Sequence, residues 1–171
     1  MRLTAFTDYG LRILMRLAGA PDQLFTTDGI AKEFGVSRNH LAKVVQDLGR
    51  AGLIRTQRGA GGGFRLAVPP QSILLGEVVR QLEQRQALVE CFRNDGGSCS
   101  LEPVCRLKSR LATARDAFLA ELDRTTIAEC VYIPDSASLP TSSVVESTRG
   151  YATRTASSKP GRHDSRTHGR R

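Results

Sequence analysis

The chain has 171 residues, of which 40% are hydrophobic, and this is enough for one domain with a buried core and an appendage. It contains no run approaching the roughly 20 apolar residues that a membrane span needs, so the sequence predicts a cytoplasmic protein with no membrane partner. The net charge of +8 can attract any polyanion, so charge alone does not separate DNA from RNA or from a membrane surface.

Two stretches near the N-terminus have apolar residues at helical spacing. The first runs from Phe6 to Leu17 and stops at Gly19, which predicts an amphipathic helix. The second is shorter: Thr27 can act as its N-cap, and Gly35 can end it in a left-handed conformation. Only a short turn separates this second helix from the next helical stretch.

The third stretch completes a helix-turn-helix. Ser37 is a good N-cap, and Gly49 and Gly52 are expected to close the helix. Its apolar residues form a single stripe, which consists of Leu41, Val44, Val45 and Leu48. A short helix, a Gly-Val-Ser turn and a second helix are typical of proteins that place the N-terminal end of the second helix in the major groove of DNA.

A β-wing follows the third helix. Residues 53–58 and 64–68 are predicted strands, joined by the glycine-rich turn 59–63. A glycine-rich turn can also hold a nucleotide phosphate, but the G-x-G-x-x-G pattern fails at Phe64 and no helix follows directly. The predicted fold class is therefore mainly α, a winged helix-turn-helix with a two-stranded β-wing.

The polar and basic side chains of this domain are candidates for contacts with double-stranded DNA. Arg38, Asn39 and His40, at the start of the third helix, are expected near base edges. Ser37, at the N-cap position of the same helix, is a further candidate for a DNA contact. The candidates expected nearer the phosphates are Lys43, Arg12, Arg58 and Arg65.

Two more helices are predicted beyond the wing. Ser72 is expected to cap the first, which extends to residue 84 with one apolar face formed by Leu75, Val78, Val79 and Leu82. The second carries a longer stripe, which consists of Val104, Leu107, Leu111, Ala114, Phe118 and Leu122. A DNA-reading module usually works as a dimer on two half-sites, so this long C-terminal helix is the predicted homodimer interface.

These elements divide the chain into four parts, which are the DNA-binding domain 1–84, a cysteine loop 85–105, the dimerisation helix 106–130 and a tail 131–171. Basic residues outnumber acidic ones by 10 to 5 in residues 1–66 and by 7 to 3 in residues 135–171. The tail is rich in Ser and Thr, so we predict that it is disordered and either simply solvated or weakly attracted to DNA phosphates.

The cysteine loop predicts a metal centre. Cys91, Cys99 and Cys105 are separated by intervals of seven and five residues, and the chain has no secretion signal that would favour disulfides. Structural zinc sites usually offer paired C-x-x-C motifs, and the loop has no histidine, so zinc is not favoured. An iron-sulfur cluster tolerates wider spacing and a non-cysteine ligand. Functionless surface thiols and a disulfide with Cys130 are the alternatives.

Several motifs are similar to those of one known family. They are residues 3–12, residues 36–45, the wing glycines with Phe64-Arg65-Leu66, and Cys105-Arg106-Leu107. Over residues 3–129 the chain resembles the NsrR family, nitric-oxide-sensitive repressors in the broad class of winged-helix iron-sulfur regulators that also includes IscR.

The resemblance implies that Cys91, Cys99 and Cys105 ligate an iron-sulfur cluster, with 4Fe-4S favoured and 2Fe-2S still open. It also implies that Asp8 supplies a fourth ligand, from the same or the other subunit. Considered alone, Asp8 is an ordinary acidic residue stabilised at a helix N-terminus. The implied function is repression of nitrosative-stress genes, relieved when nitric oxide reaches the cluster.

The sequence also leaves other functions open to different degrees. A repressor that senses general redox or iron status is the main alternative, although Lys108 stands where IscR-like proteins carry a histidine. A metalloenzyme is disfavoured because the histidines are confined to the DNA-reading helix and the tail. A protein that only carries clusters would not need the wing.

Overall fold

The computed structural model describes residues 2–84, 86–93, 95–101 and 104–134. Residues 131–134 of the predicted disordered tail are instead held against α1, where Tyr132 N donates to Met15 O at 3.1 Å, and the rest of that tail lies outside the described residues. Seven principal elements follow one another: α1 (Ala5–Ala18), α2 (Thr27–Phe34), α3 (Arg38–Arg50), β1 (Ile54–Gln57), β2 (Gly63–Leu66), α4 (Leu75–Glu83) and α5 (Arg106–Leu122). Short 3-10 turns occupy Pro70–Ser72, Glu90–Phe92 and Ile127–Cys130. The predicted mainly helical, winged fold is confirmed.

The first two helices begin at threonine caps. Thr4 caps α1, and its hydroxyl oxygen accepts a hydrogen bond from the backbone N–H of Thr7 at 3.2 Å. The cap of α2 is Thr26 rather than the predicted Thr27, because the Thr26 side chain accepts from Gly29 N at 3.0 Å while Thr27 is already helical. Gly35 ends α2 with a φ of 64°, as predicted.

The third helix extends further than the sequence suggests. Ser37 occupies the N-cap position, but its side chain makes no capping hydrogen bond. Gly49 lies inside the helix rather than closing it, and the chain leaves the helix at Ala51. The left-handed turn falls at Gly52, with a φ of 73°. The helix therefore continues past Gly49 to Arg50, because Gly52 and not Gly49 adopts the left-handed conformation that follows its end.

The wing is shorter than predicted and joins the rest of the domain through a third segment. The antiparallel pairing of β1 with β2 sets Ile54 opposite Leu66 and Arg55 opposite Arg65. Phe25 extends this pairing, since its backbone exchanges hydrogen bonds of 2.9 and 2.8 Å with Phe64. A side chain at Gly63 would place a Cβ 2.5 Å from the carbonyl oxygen of Phe25, so glycine permits this close approach.

One core holds α1 to α2, α3, α4 and the wing. The residues of the predicted α3 stripe are all buried in it, and the apolar side chains with the least exposure in the first three helices are Ile13, Leu14, Leu17, Ile30, Leu41, Val44 and Leu48. Phe64 and Leu66 add the inner face of the wing. The helix α3 is thus packed directly on α1.

The helix α4 begins later than predicted. Ser72 lies in a 3-10 turn and its hydroxyl donates to the Pro69 carbonyl oxygen at 2.7 Å, so it does not cap α4, whose N-cap is Leu74. The backbone just before α4 pairs with a distant segment instead: Ile127 N donates to Ile73 O at 2.9 Å. The predicted apolar face is confirmed, with Val78, Val79 and Leu82 buried.

The last long helix, α5, is shorter than the predicted 106–130. It ends at Leu122, and residues 127–130 form a separate 3-10 turn. Arg80 of α4 forms a bidentate ion pair with Asp123 at the end of α5, and this contact lowers the pKa of the Asp123 carboxyl below its ordinary range. Within the described part of the chain, none of the helices is both long enough and apolar enough to cross a membrane.

Candidate functional site: the recognition helix and the cysteine loop

The start of α3, which is the second helix of the helix-turn-helix and is called the recognition helix, presents an exposed polar edge. Ser37, Arg38, Asn39, His40 and Lys43 are all exposed, while Leu41 between them is buried and anchors the edge to the core. The side chain of Arg38 forms an ion pair of 2.6 Å with Asp28 near the start of α2. This pair crosses the turn between the two helices, and sequence reasoning did not anticipate it.

The other basic candidates are spread over the same domain. Arg12 is paired with Asp8, one helical turn earlier, through an N–O distance of 2.9 Å. Arg58 is exposed just after β1, whereas Arg65 is half-buried inside β2 and lies away from the tip of the wing. Its cross-strand partner Arg55 is exposed. Arg55 is therefore a further candidate, and the register of the hairpin would have revealed it.

The cysteine loop is organised by short-range hydrogen bonds. One carboxylate oxygen of Glu90 accepts from the backbone N–H and the hydroxyl of Ser98, at 3.1 and 2.9 Å, which brings the two ends of the stretch between the first two cysteines together. These bonds lower the pKa of Glu90. Gly97 has a φ of 61°, and a Cβ there would lie 2.6 Å from the Glu90 carbonyl oxygen. Only glycine fits this turn without strain.

The loop also contacts the last long helix. The guanidinium of Arg115, in α5, lies over the ring of Phe92 with 5.0 Å to its centroid. Phe92 directly follows Cys91 in the same 3-10 turn. The residue that follows the first cysteine therefore contacts α5, and the third cysteine, Cys105, is the N-cap residue of that helix.

The donor set fits a soft metal centre in its chemistry. Cys91, Cys99 and Cys105 are free thiols and each is partly exposed, so that the predicted alternative of a disulfide with Cys130, which is also free, is not realised. Among the described residues, no three His, Cys, Asp or Glu side chains lie together closely enough to hold a metal ion. In this conformation Asp8 faces Arg12. In their chemistry the thiols suit an iron-sulfur cluster.

The fold and the exposed edge of α3 define a winged helix-turn-helix protein of the DNA-binding class. A model of the Rrf2 family, described as iron-dependent transcriptional regulators, matches residues 3–132. The chain belongs to the Rrf2 family. It is therefore a DNA-binding transcriptional regulator and not an enzyme, and the prediction of this function is confirmed.

Curated relatives agree with the family. The chain is 46% identical over 128 residues to the HTH-type transcriptional regulator NsrR of Halalkalibacterium halodurans, covering 74% of this chain and 88% of the relative. It is 47% identical over 141 residues to the regulator of the same name from Geobacillus kaustophilus, covering 81% of this chain and 94% of the relative. The resemblance to the NsrR family is thus confirmed.

Solved structures show the same fold. The oxidized form of Staphylococcus aureus CymR superposes with a TM-score of 0.61 at 33% identity, over 80% of this chain and all of that one. The IscR of T. potens superposes with a TM-score of 0.58 at 25% identity, over 75% of this chain and 85% of that one. The likeness covers most of the described residues.

Proposed function

We propose that this protein is a homodimeric repressor whose affinity for operator DNA is set by an iron-sulfur cluster in the loop 85–105, and that it responds to nitric oxide. The observation that carries the proposal is three free, half-buried thiols on one loop between α4 and α5, in a chain of this family. The resemblance to the NsrR repressors supports nitric oxide as the signal. When bound, such a cluster supplies iron atoms that react with nitric oxide.

Four residues of this chain are the proposed ligands: Cys91, Cys99, Cys105 and Asp8. Thiolates favour iron-sulfur clusters, and one non-cysteine ligand is compatible with them. Asp8 holds Arg12 in this structure, so its use as a ligand requires that this exposed ion pair opens, which costs little because exposed pairs contribute only about 0–1 kcal/mol. We favour a 4Fe-4S cluster, by resemblance.

The exposed edge of α3 is the proposed reading surface. Arg38, Asn39 and His40 would contact base edges, with Ser37 at the start of the helix. Arg38 must exchange its pairing with Asp28 for a base or a phosphate. The proposed phosphate contacts are Lys43, Arg12, Arg58 and Arg65, to which the structure adds Arg55.

A single substitution tests the phosphate role of Lys43. Replacing Lys43 by alanine is expected to weaken binding to all DNA sequences alike and to reduce the slope of log affinity against log salt by about one, because one counterion fewer is released. Fluorescence anisotropy at several salt concentrations measures both quantities. Lys32→Ala, which removes an exposed lysine from α2, serves as the matched control and should leave the slope unchanged. A changed sequence preference in Lys43→Ala would contradict the assignment.

The proposed dimer interface is α5, whose predicted apolar stripe begins at Val104 and runs to Leu122. No residue of this fully described helix is buried. Three large apolar side chains in its first turn or just before it are exposed: Leu101, Val104 and Leu107, with exposures of 63%, 84% and 62%. An apolar face of this kind usually marks an interface. In a dimer it would set the two recognition helices at the spacing of successive major grooves, about 34–36 Å.

An anaerobic titration tests the proposed function. Purified without oxygen, the full chain is expected to be coloured, to sediment as a dimer and to shift a fragment of its own promoter. Added nitric oxide should change the visible spectrum and weaken DNA binding by at least about tenfold, equivalent to ~1.4 kcal/mol. A colourless protein, or binding that nitric oxide leaves unchanged, would overturn the proposal.

The family description and the structural likeness to an IscR favour a second candidate, a cluster-containing repressor that senses general redox or iron status. The same preparation separates the two. Oxygen or iron chelation should release DNA at least as readily as nitric oxide if this second candidate is right. The position of Lys108, where the resemblance places a histidine in IscR-like proteins, favours the nitric-oxide sensor.

A further inference from the structure

One carboxylate joins the end of α4 to the start of α1. An oxygen of Glu83, Oε1, accepts three hydrogen bonds: from Thr4 N at 2.8 Å, from Thr4 Oγ1 at 2.9 Å and from Thr7 Oγ1 at 2.5 Å. Thr7 is fully buried and is a polar residue within the otherwise apolar core. The contact satisfies groups at a helix N-terminus, where a negative charge is also favoured by the helix dipole.

Glu83 occupies a place where the two functional parts of the chain meet. It is the last residue of α4, and the cysteine loop begins directly beyond that helix. Asp8, the proposed fourth ligand, lies in the first turn of α1, the same turn that receives the Glu83 carboxylate. Any displacement of the loop that pulls on the end of α4 therefore acts on the first turn of α1.

The next turn of α1 connects this contact to the recognition helix. A Cβ added at Gly10 would overlap Leu82 Cδ1 of α4 and would lie 3.6 Å from Val44 Cγ1 of α3. Three helices thus meet at one residue without a side chain. Val44 is fully buried, and a close-packed interior passes a displacement on to its neighbours rather than absorbing it.

We propose that Glu83 is a positioning residue that couples the cysteine loop to the recognition helix. In the first step, the end of α4 acts on α1 through the hydrogen bonds of Glu83 and the packing of Leu82. In the second step, α1 acts on α3 through the contact between Gly10 and Val44. This inference rests on the proposed cluster-dependent function. It adds the element that makes the DNA-reading edge respond to the state of the loop.

The test compares operator affinity in two states of the full chain. Glu83→Ala, prepared anaerobically, is expected to retain the visible absorbance of the cluster. In the wild type, the operator dissociation constant without the cluster should exceed that with the cluster by at least about tenfold, equivalent to ~1.4 kcal/mol. In Glu83→Ala the same two constants should differ by no more than about twofold. Glu83→Gln keeps an oxygen acceptor at the same place and should retain most of the ratio. Glu77→Ala, which removes an exposed carboxylate from the same helix, should retain all of it.

A second readout does not depend on the cluster. In the cluster-free protein, hydrogen exchange at the first turn of α1 should become faster in Glu83→Ala than in Glu77→Ala, because Thr4 N loses its acceptor. Thr7→Val keeps the side-chain shape and removes one donor, and it provides a milder variant with an intermediate ratio if Glu83→Ala does not fold. A double-mutant cycle between Glu83→Ala and Thr7→Val should show that the two changes are not additive, because each of them removes the hydrogen bond between these side chains.

The outcomes separate the two proposals. An unchanged ratio in loaded Glu83→Ala, or an equal loss of affinity in both states, overturns the coupling and leaves the cluster-dependent function in place. A wild-type protein that carries the cluster and binds the operator equally well with and without it overturns the proposed function, and the coupling with it.

Discussion

Replacing Cys99 by alanine is expected to give a colourless protein that folds normally and binds its operator with the same affinity whether or not nitric oxide is present. Cys99 is a free, half-buried thiol between the other two cysteines of the loop, and the hydrophobic core does not include it. A cluster that loses one of three thiolate ligands is expected to be lost with it. The measurements are the visible spectrum, circular dichroism and gel shift, all under anaerobic conditions.

Cys130→Ala is the matched control for that experiment. Cys130 is also a free, half-buried cysteine, but it lies in the 3-10 turn Ile127–Cys130, beyond α5. Its replacement should leave both the colour and the response to nitric oxide intact. If Cys99→Ala keeps its colour, or if Cys130→Ala loses it, the proposed ligand set is wrong.

The second large effect is expected at the anchor of the recognition helix. Leu41 is fully buried in the first turn of α3, and Leu41→Ala should lower the free energy of unfolding by about 2–5 kcal/mol, from lost burial and the cavity left behind. A domain of this size is stable by only about 5–15 kcal/mol, so the loss is a large share of the total. Urea unfolding of the cluster-free protein, followed by circular dichroism, measures it.

The same substitution should also weaken DNA binding, because Arg38 and Lys43 lie on either side of the Leu41 anchor. Leu88→Ala is the control, since it removes the same atoms from a side chain that is 40% exposed. Its effect on the free energy of unfolding should be much smaller. A cost at Leu88 that equals or exceeds the cost at Leu41 would show that α3 is not anchored in this way.

Local patterns were sufficient to predict most of the elements. The helical stripe of α3 and the left-handed Gly35 depend on residues close together in the sequence, and the structure confirms both. The wing was predicted for the same reason, since a glycine-rich turn between two β-prone stretches closes a hairpin locally. The exposed edge Arg38, Asn39 and His40 followed directly once α3 was assigned.

The errors occurred where distant backbone segments pair. Ser72 was a plausible cap by local criteria, but the chain from Ile73 to Leu75 bonds to residues 125–127, which delays the start of α4. The same pairing requires the chain to leave α5 before Thr125, so the helix cannot continue to residue 130 as predicted. Adjacent threonines at the start of α2 also look equivalent in sequence, and the structure selects Thr26.

The sequence by itself determined the winged helix, the exposed polar edge of α3 and the three thiols of the cysteine loop, because each depends on residue type and short-range spacing. Only the tertiary structure decided how these parts connect. Glu83 and Thr4 are 79 positions apart, and no periodicity links them. They meet because α1 and α4 pack on the same core. This packing places the end of α4, which precedes the cysteine loop, against the start of α1, which packs on α3.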